Sequence, residues 1–150
     1  MRLTKLERAY MAGIMDGEGS FTVCYNRKFR AFISDIGFCQ TVKLLPKWFY
    51  DTFGGSLRRI QRKEFKFRRH KPIWRWRIYG HEKIKFFIRA LLPYLRLKQK
   101  QATLALEFHS LERQWNTKRR HQIVKALHKL NQRGQNPQRL IRRTLRKKRR

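Results

Sequence analysis

Between Met15 and Ser20 the hydrophobic period of the chain changes. Upstream, Leu6, Tyr10, Gly13 and Gly17 recur on one face of a segment that reads as a helix from Leu6 to Met15, with Gly17 and Gly19 ending it. Downstream, Phe21, Val23 and Tyr25 alternate with Thr22, Cys24 and Asn26, which is the period of a strand. The helix therefore passes almost directly into a strand, through the stretch "YMAGIMDGEGSF".

The rest of the chain extends this pattern. A turn at "NRK" leads to a second alternating run in which Phe32, Ser34, Ile36, Phe38 and Gln40 share a face. "PKWFYDTF" (Pro46 to Phe53) reads as a short helix with Pro46 near its first position and Gly54-Gly55 closing it. Strands follow at Ser56 to about Arg62 and at Ile73 to Tyr79, joined by the basic connection "RKEFKFRRHK". In the latter strand Trp74, Trp76 and Ile78 face one way, and Arg75, Arg77 and Tyr79 the other. His81 to Leu92 is a helix with Ile84, Phe87, Ile88 and Leu91 inward, stopped by Pro93. A longer helix begins near Lys98 with the stripe Gln101, Leu104, Phe108, Leu111 and Trp115. A last helix covers about Arg119 to Gln132, with Ile123, Leu127 and Leu130 inward and Gly134 as terminator. The order predicts an α+β fold: a four-stranded antiparallel sheet with helices on one face and a wet opposite face. We expect one domain over 1–134 and a basic tail over 135–150, disordered alone and ordered on a phosphate backbone.

Charge narrows the function. The chain carries 39 Lys+Arg against 9 Asp+Glu, a formal net charge of +30, and phosphate backbones reward such a surplus through counterion release. The 41% hydrophobic content argues against a wholly disordered basic chain. No apolar run approaches the roughly 18 residues of a membrane span, and no secretory signal is evident. Two cysteines, Cys24 and Cys39, are too few for a disulfide framework, and no Cys/His cluster has zinc spacing. These features predict an intracellular, reducing compartment, an organelle included, and no membrane partner.

Against that charge, Asp16 and Glu18 stand one residue apart among three glycines. A phosphate-cradling loop fits poorly, because such loops open helices and this one closes a helix. The C-terminal end of a helix is partially negative, so a carboxylate there calls for a cation. Gly13 and Gly17 lie one helical turn apart and would let another backbone approach closely. Were this helix to pair with its own copy, two Glu18 carboxylates would converge. A hard divalent ion such as Mg²⁺ is their natural neutraliser, and beside a phosphate backbone it makes a hydrolytic centre.

The stretch "MAGIMDGEG", Met11 to Gly19, closely resembles the motif of the LAGLIDADG homing endonucleases. Ala12, Gly13, Asp16 and Gly19 match it, Met11, Ile14 and Met15 are apolar replacements, and Glu18 fills the metal-binding acid's position. The family core is αββαββα, and "PYLRLKQKQA" (Pro93 to Ala102) resembles its second signature region, so the likeness covers roughly Leu6 to Trp115. It implies that Glu18 binds the catalytic metal with help from the Gly17 carbonyl. It implies that Lys98 polarises phosphate or orients water, that Gln40 organises water, and that Asp16 caps or braces the motif helix. The family's pocket arginine has no clear counterpart, Lys43 being nearby.

One motif copy implies a homodimer with Met11, Ala12, Gly13, Asp16 and Gly17 at the interface and the two sheets saddling the major groove of double-stranded DNA. Thr22, Cys24, Asn26, Lys28, Arg75 and Arg77 are the candidate base readers. Arg58, Arg59, Arg62, Lys63, Arg68 and Arg69 are candidates for holding phosphates, with Arg142, Arg143, Arg146 and Lys147 of the tail. The expected function is a Mg²⁺-dependent (or other divalent cation), site-specific DNA endonuclease of the intron-encoded type. The alternative is a protein of the same fold that binds structured RNA, as an intron maturase or a ribonucleoprotein component, which the charge and "RRTLRKKRR" favour.

Overall fold

A computed structural model describes residues 3–61, 71–111 and 117–132. Helix α1 spans Lys5–Glu18 and opens with a capping box: the Glu7 amide donates to Thr4 Oγ1, and the Thr4 amide donates to the Glu7 carboxylate at 2.8 Å. The helix runs past Met15 through Gly17 and Glu18, three residues beyond the expected end, and the Gly19 amide closes it on the Met15 carbonyl. Strands β1 (Ser20–Asn26) and β2 (Ala31–Gln40) form an antiparallel hairpin. Helix α2 (Leu44–Phe53) places Pro46 third rather than first. Its missing N–H still falls in the first turn, where no intrahelical bond is lost.

Strands β3 (Ser56–Ile60) and β4 (Ile73–Ile78) complete a four-stranded, fully antiparallel sheet in the order β1-β2-β4-β3. β3 ends at Ile60, short of the expected Arg62: Gln61 is already outside the strand, and Arg62 lies outside the described residues. Helices α3 (His81–Leu91), α4 (Gln99–Ser110) and α5 (Thr117–Asn131) follow, with a short 3-10 turn at Leu92–Tyr94 where Pro93 stops α3. The basic tail, 135–150, lies outside the described residues.

One sheet face carries the core. Phe21, Ile36, Phe38, Trp76 and Ile78 pack against Met11 and Met15 of α1, Phe49 of α2, and Ile84, Phe87, Ile88 and Leu91 of α3. Aromatic rings tie the layers together: Phe49 lies 4.7 Å from Phe38 and 5.0 Å from Trp76, and the Trp76 indole donates to the Gly54 carbonyl at 2.9 Å. A second cluster of Val23, Phe108, Ile123 and Leu127 joins α4 and α5 to β1.

Two expected stripes are shifted. In α4 the buried residues are Ala102, Ala105, Phe108 and His109, while Gln101, Leu104 and Leu111 are only half-buried. The alanines turn toward the main core, where their small side chains let α4 lie close to its neighbours. Leu130 of α5 is 40% exposed rather than inward, and Trp115 lies outside the described residues.

A partly buried polar chain crosses this region, with His109 at its buried centre. Ser34 Oγ meets His109 Nε2 at 3.0 Å, and His109 Nδ1 meets His81 Nδ1 at 3.1 Å. Burial, with the adjacent His81, Arg120 and Lys85, pushes the His109 imidazole down to about 4. Arg120, also buried, stacks its guanidinium 5.0 Å from the Phe108 ring and donates to the Leu111 carbonyl at 2.8 Å.

Candidate active site at the end of α1

The C-terminal end of α1 is braced from both sides by one residue pair. The Asp16 carboxylate accepts the backbone amides of Arg96 (2.7 Å) and Lys98 (2.9 Å), which fixes the entry to α4. The Lys98 ammonium reaches back to the carbonyls of Met15 (3.0 Å) and Gly19 (2.7 Å). It thus supplies positive charge at the negative end of the helix, adding a charged donor to the Met15 carbonyl that already accepts the Gly19 amide, and a donor to the carbonyl of Gly19 just past the helix. Asp16 therefore braces the segment as expected. Lys98, expected at a phosphate or a water, holds the carbonyls on either side of Glu18.

Glu18 is exposed at the rim of an open cleft on the sheet's outer face, lined also by Ser20, Asp35, Gly37, Cys39, Gln40, Thr41, Ile73, Arg75 and Arg77. Seven of the nine acids are described. Glu7 caps α1, Asp16 braces α4, and Asp35, Asp51, Glu82 and Glu107 are ion-paired. Among the described residues Glu18 alone is left without such a partner. In a chain of charge +30, a carboxylate without a cationic partner is unusual.

The sheet register sorts the remaining candidates. Arg58, Arg75 and Arg77 share the outer face with Thr22 and Cys24, and Arg58 stands directly opposite Arg75. Arg59 stands opposite Trp74 and belongs to the helix-side face, so the register removes it from the outer surface where Arg58 stays. Gln40 also pairs with Trp74, yet lies at the strand end where it lines the cleft. Lys43 places its ammonium 4.6 Å from the Trp74 ring centroid and does not line the cleft.

Several candidate readers are partly engaged. Thr22 Oγ1 meets Ser20 Oγ at 2.8 Å and accepts from Asn131 of α5, and Asn26 Oδ1 accepts the Phe29 amide in the hairpin turn. Cys24 and Lys28 are exposed, and Cys24 and Cys39 are both free thiols. Met11 and Ala12 are fully buried in the chain's own core, which removes them from any surface, whereas Gly13 and Gly17 are exposed. Arg62, Lys63, Arg68, Arg69, Arg142, Arg143, Arg146 and Lys147 lie outside the described residues. Asp35, absent from the expected site, was detectable as a lone acid on the outward phase of an alternating strand.

No protein-family model matches the chain, and no curated protein matches it by sequence. Solved structures do match. The homing endonuclease I-CvuI, in complex with the I-CreI target in the presence of Mg with the DNA not cleaved, aligns over 88% of this chain and 86% of its own at 17% identity, TM-score 0.64. I-CvuI with its own target and Ca aligns over 85% and 83% at 20% identity, TM-score 0.63. The archaeal intron-encoded homing endonuclease I-Vdi141I, complexed with DNA, aligns over 86% of both chains at 16% identity, TM-score 0.64. The chain has the LAGLIDADG homing-endonuclease fold. At these identities the likeness speaks for the fold, and the chemistry rests on this chain's own residues. Among the described residues no helix is long and apolar enough to cross a membrane.

Proposed function

We propose that the chain is a site-specific double-strand DNA endonuclease that works as a homodimer with a divalent cation. The observation that carries this reading is Glu18: an exposed carboxylate without a partner among the described residues, held between braced carbonyls at the rim of a cleft edged by Arg75 and Arg77. The donors fit a hard cation. Glu18 offers carboxylate oxygens, and the Gly17 carbonyl is among the last of α1, without an intrahelical partner. No group of three or more His, Cys, Asp or Glu side chains is present among the described residues. Mg²⁺ keeps waters and takes one or two carboxylates plus substrate phosphate rather than a full protein cage. When bound, such an ion supplies charge stabilisation at phosphorus and a water of lowered pKa.

The chain's own residues do the rest. Lys98 and Asp16 fix the end of α1 that presents Glu18, and Gln40 at the cleft rim orients water. Arg58 and Arg75 hold the duplex against the outer face. The exposed stripe of α1, with Leu6 80% and Tyr10 57% accessible beside Gly13 and Gly17, is the surface for a second copy. A Cβ built on either glycine meets nothing within 4 Å, so the chain's own packing does not require them. Incubation with Mg²⁺ and a randomised duplex library tests the reading: cut molecules should share one roughly palindromic site.

A second reading, structured-RNA binding on the same fold, is favoured by α5. The helix contains no Asp or Glu and exposes Lys118, Lys125 and Lys129, and it packs at β1 rather than at the cleft. Deleting 135–150 separates the two. A nuclease keeps specific cleavage with a shallower salt dependence, whereas a ribonucleoprotein component loses co-sedimentation with large RNA.

A further inference from the structure

Asp35 is an acid on the face that the proposed function turns toward DNA. Its carboxylate engages Arg77 through two bonds, Oδ1 to Nε at 2.7 Å and Oδ2 to Nη2 at 2.8 Å. Both side chains are partly open to solvent, at 45% and 31% exposure. Gly37, directly opposite Arg77, has no side chain, and the guanidinium crosses that space to Asp35 two residues away on the same face of β2. Arg58 and Arg75, on the same face, have no carboxylate partner among the described residues.

We propose that Asp35 and Arg77 form a specificity-determining pair that reads a G·C base pair in the major groove. This rests on the groove-reading function above. A carboxylate facing the phosphate backbone raises the energy of binding, so its place is opposite base edges. Pairing cancels the charge of Arg77 and reduces its value as a sequence-blind phosphate contact. It also locks a long side chain in one direction, lowering the entropy lost on docking. With Nε and one Nη2 hydrogen taken by Asp35, both Nη1 hydrogens and the second Nη2 hydrogen remain as an outward fork. That fork matches guanine O6 and N7, and the remaining lone pairs of Asp35 suit the cytosine amino group. Arg58 and Arg75, without such a lock, are the phosphate-type contacts on the same surface.

The test is selection from a randomised duplex library by binding in Ca²⁺, for wild type, Asp35→Ala, Asp35→Ser, Arg77→Gln and Arg58→Gln, with thermal unfolding of each as a folding check. Wild type should require guanine at one position of each half-site. Arg77→Gln should abolish that requirement there and leave other positions unchanged. Both Asp35 variants should weaken it about tenfold and bind random DNA more tightly, through loss of a negative charge. Arg58→Gln should weaken all sequences alike and lower the salt slope by about one unit. A guanine requirement unchanged in both Asp35 variants, or a uniform loss across sequences in Arg77→Gln, overturns the pair while leaving specific DNA recognition standing. If wild type selects no sequence at all, the groove-reading function fails and the pair fails with it.

Discussion

Asp16 and Lys98 hold each other's segments. The Asp16 carboxylate takes the Lys98 amide at 2.9 Å, while the Lys98 ammonium closes α1 on the Met15 and Gly19 carbonyls. This mutual brace explains how α1 continues through Gly17, where glycine disfavours a helix by about 1 kcal/mol relative to Ala. Truncating Lys98 to Met leaves two carbonyls without their charged donor and the helix end without its cation. We expect a loss of about 1–3 kcal/mol in stability, read as a lower urea midpoint at unchanged m. Lys98→Arg should recover part of it. Wild-type stability in Lys98→Met would show that the brace is incidental.

Gly13→Leu tests assembly without disturbing the monomer. The position is exposed with open space around its Cβ direction, so monomer stability should hold or rise by up to about 1 kcal/mol. A leucine there blocks close approach of a second α1. Sedimentation equilibrium should find dimers for wild type and monomers for the variant. A variant that dimerises as tightly as wild type rules this helix out as the interface.

The Ser34–His109–His81 chain makes stability depend on pH. Burial and neighbouring positive charge depress His109 from its usual 6.5 to about 4. Between these values the unfolded chain binds a proton that the folded chain refuses, so the unfolded state gains as pH falls. The stabilisation is present above 6.5 and is lost progressively as pH falls from 6.5 through 4. Urea unfolding at pH 7.5, 5.5 and 4.5 should show the decline, and His109→Gln, which cannot titrate, should flatten it. Equal slopes for the two proteins would place the dependence elsewhere.

Much of the architecture was legible because its signals are local. The change of period at Gly17–Ser20, the glycines at 54 and 55 and Pro93 separate the elements, and Ile84, Phe87, Ile88 and Leu91 all lie inward as their spacing requires. What escaped depends on partners far along the chain. The two alanines that set the buried face of α4 carry too little hydrophobicity to outweigh Leu104 and Leu111 until the core they meet is known. Asp35 acquires its meaning from Arg77, 42 residues later, and Lys98 from carbonyls 79 and 83 residues earlier. The Thr4–Glu7 capping box was readable as Thr-x-x-Glu ahead of the helix, a local signal that the glycine stretch overshadowed.

The most direct measurement compares Glu18→Gln with wild type on a selected duplex in Mg²⁺, recording cleavage and binding together. Glu18 is exposed, so the substitution should change stability by no more than about 0.5 kcal/mol. Binding rests on many basic groups and should persist in the variant at near-native affinity. Cleavage should fall by at least about 100-fold, the scale of losing a principal electrostatic contribution. A variant that binds and still cuts at close to the wild-type rate would contradict the assignment of Glu18 as the metal-holding acid.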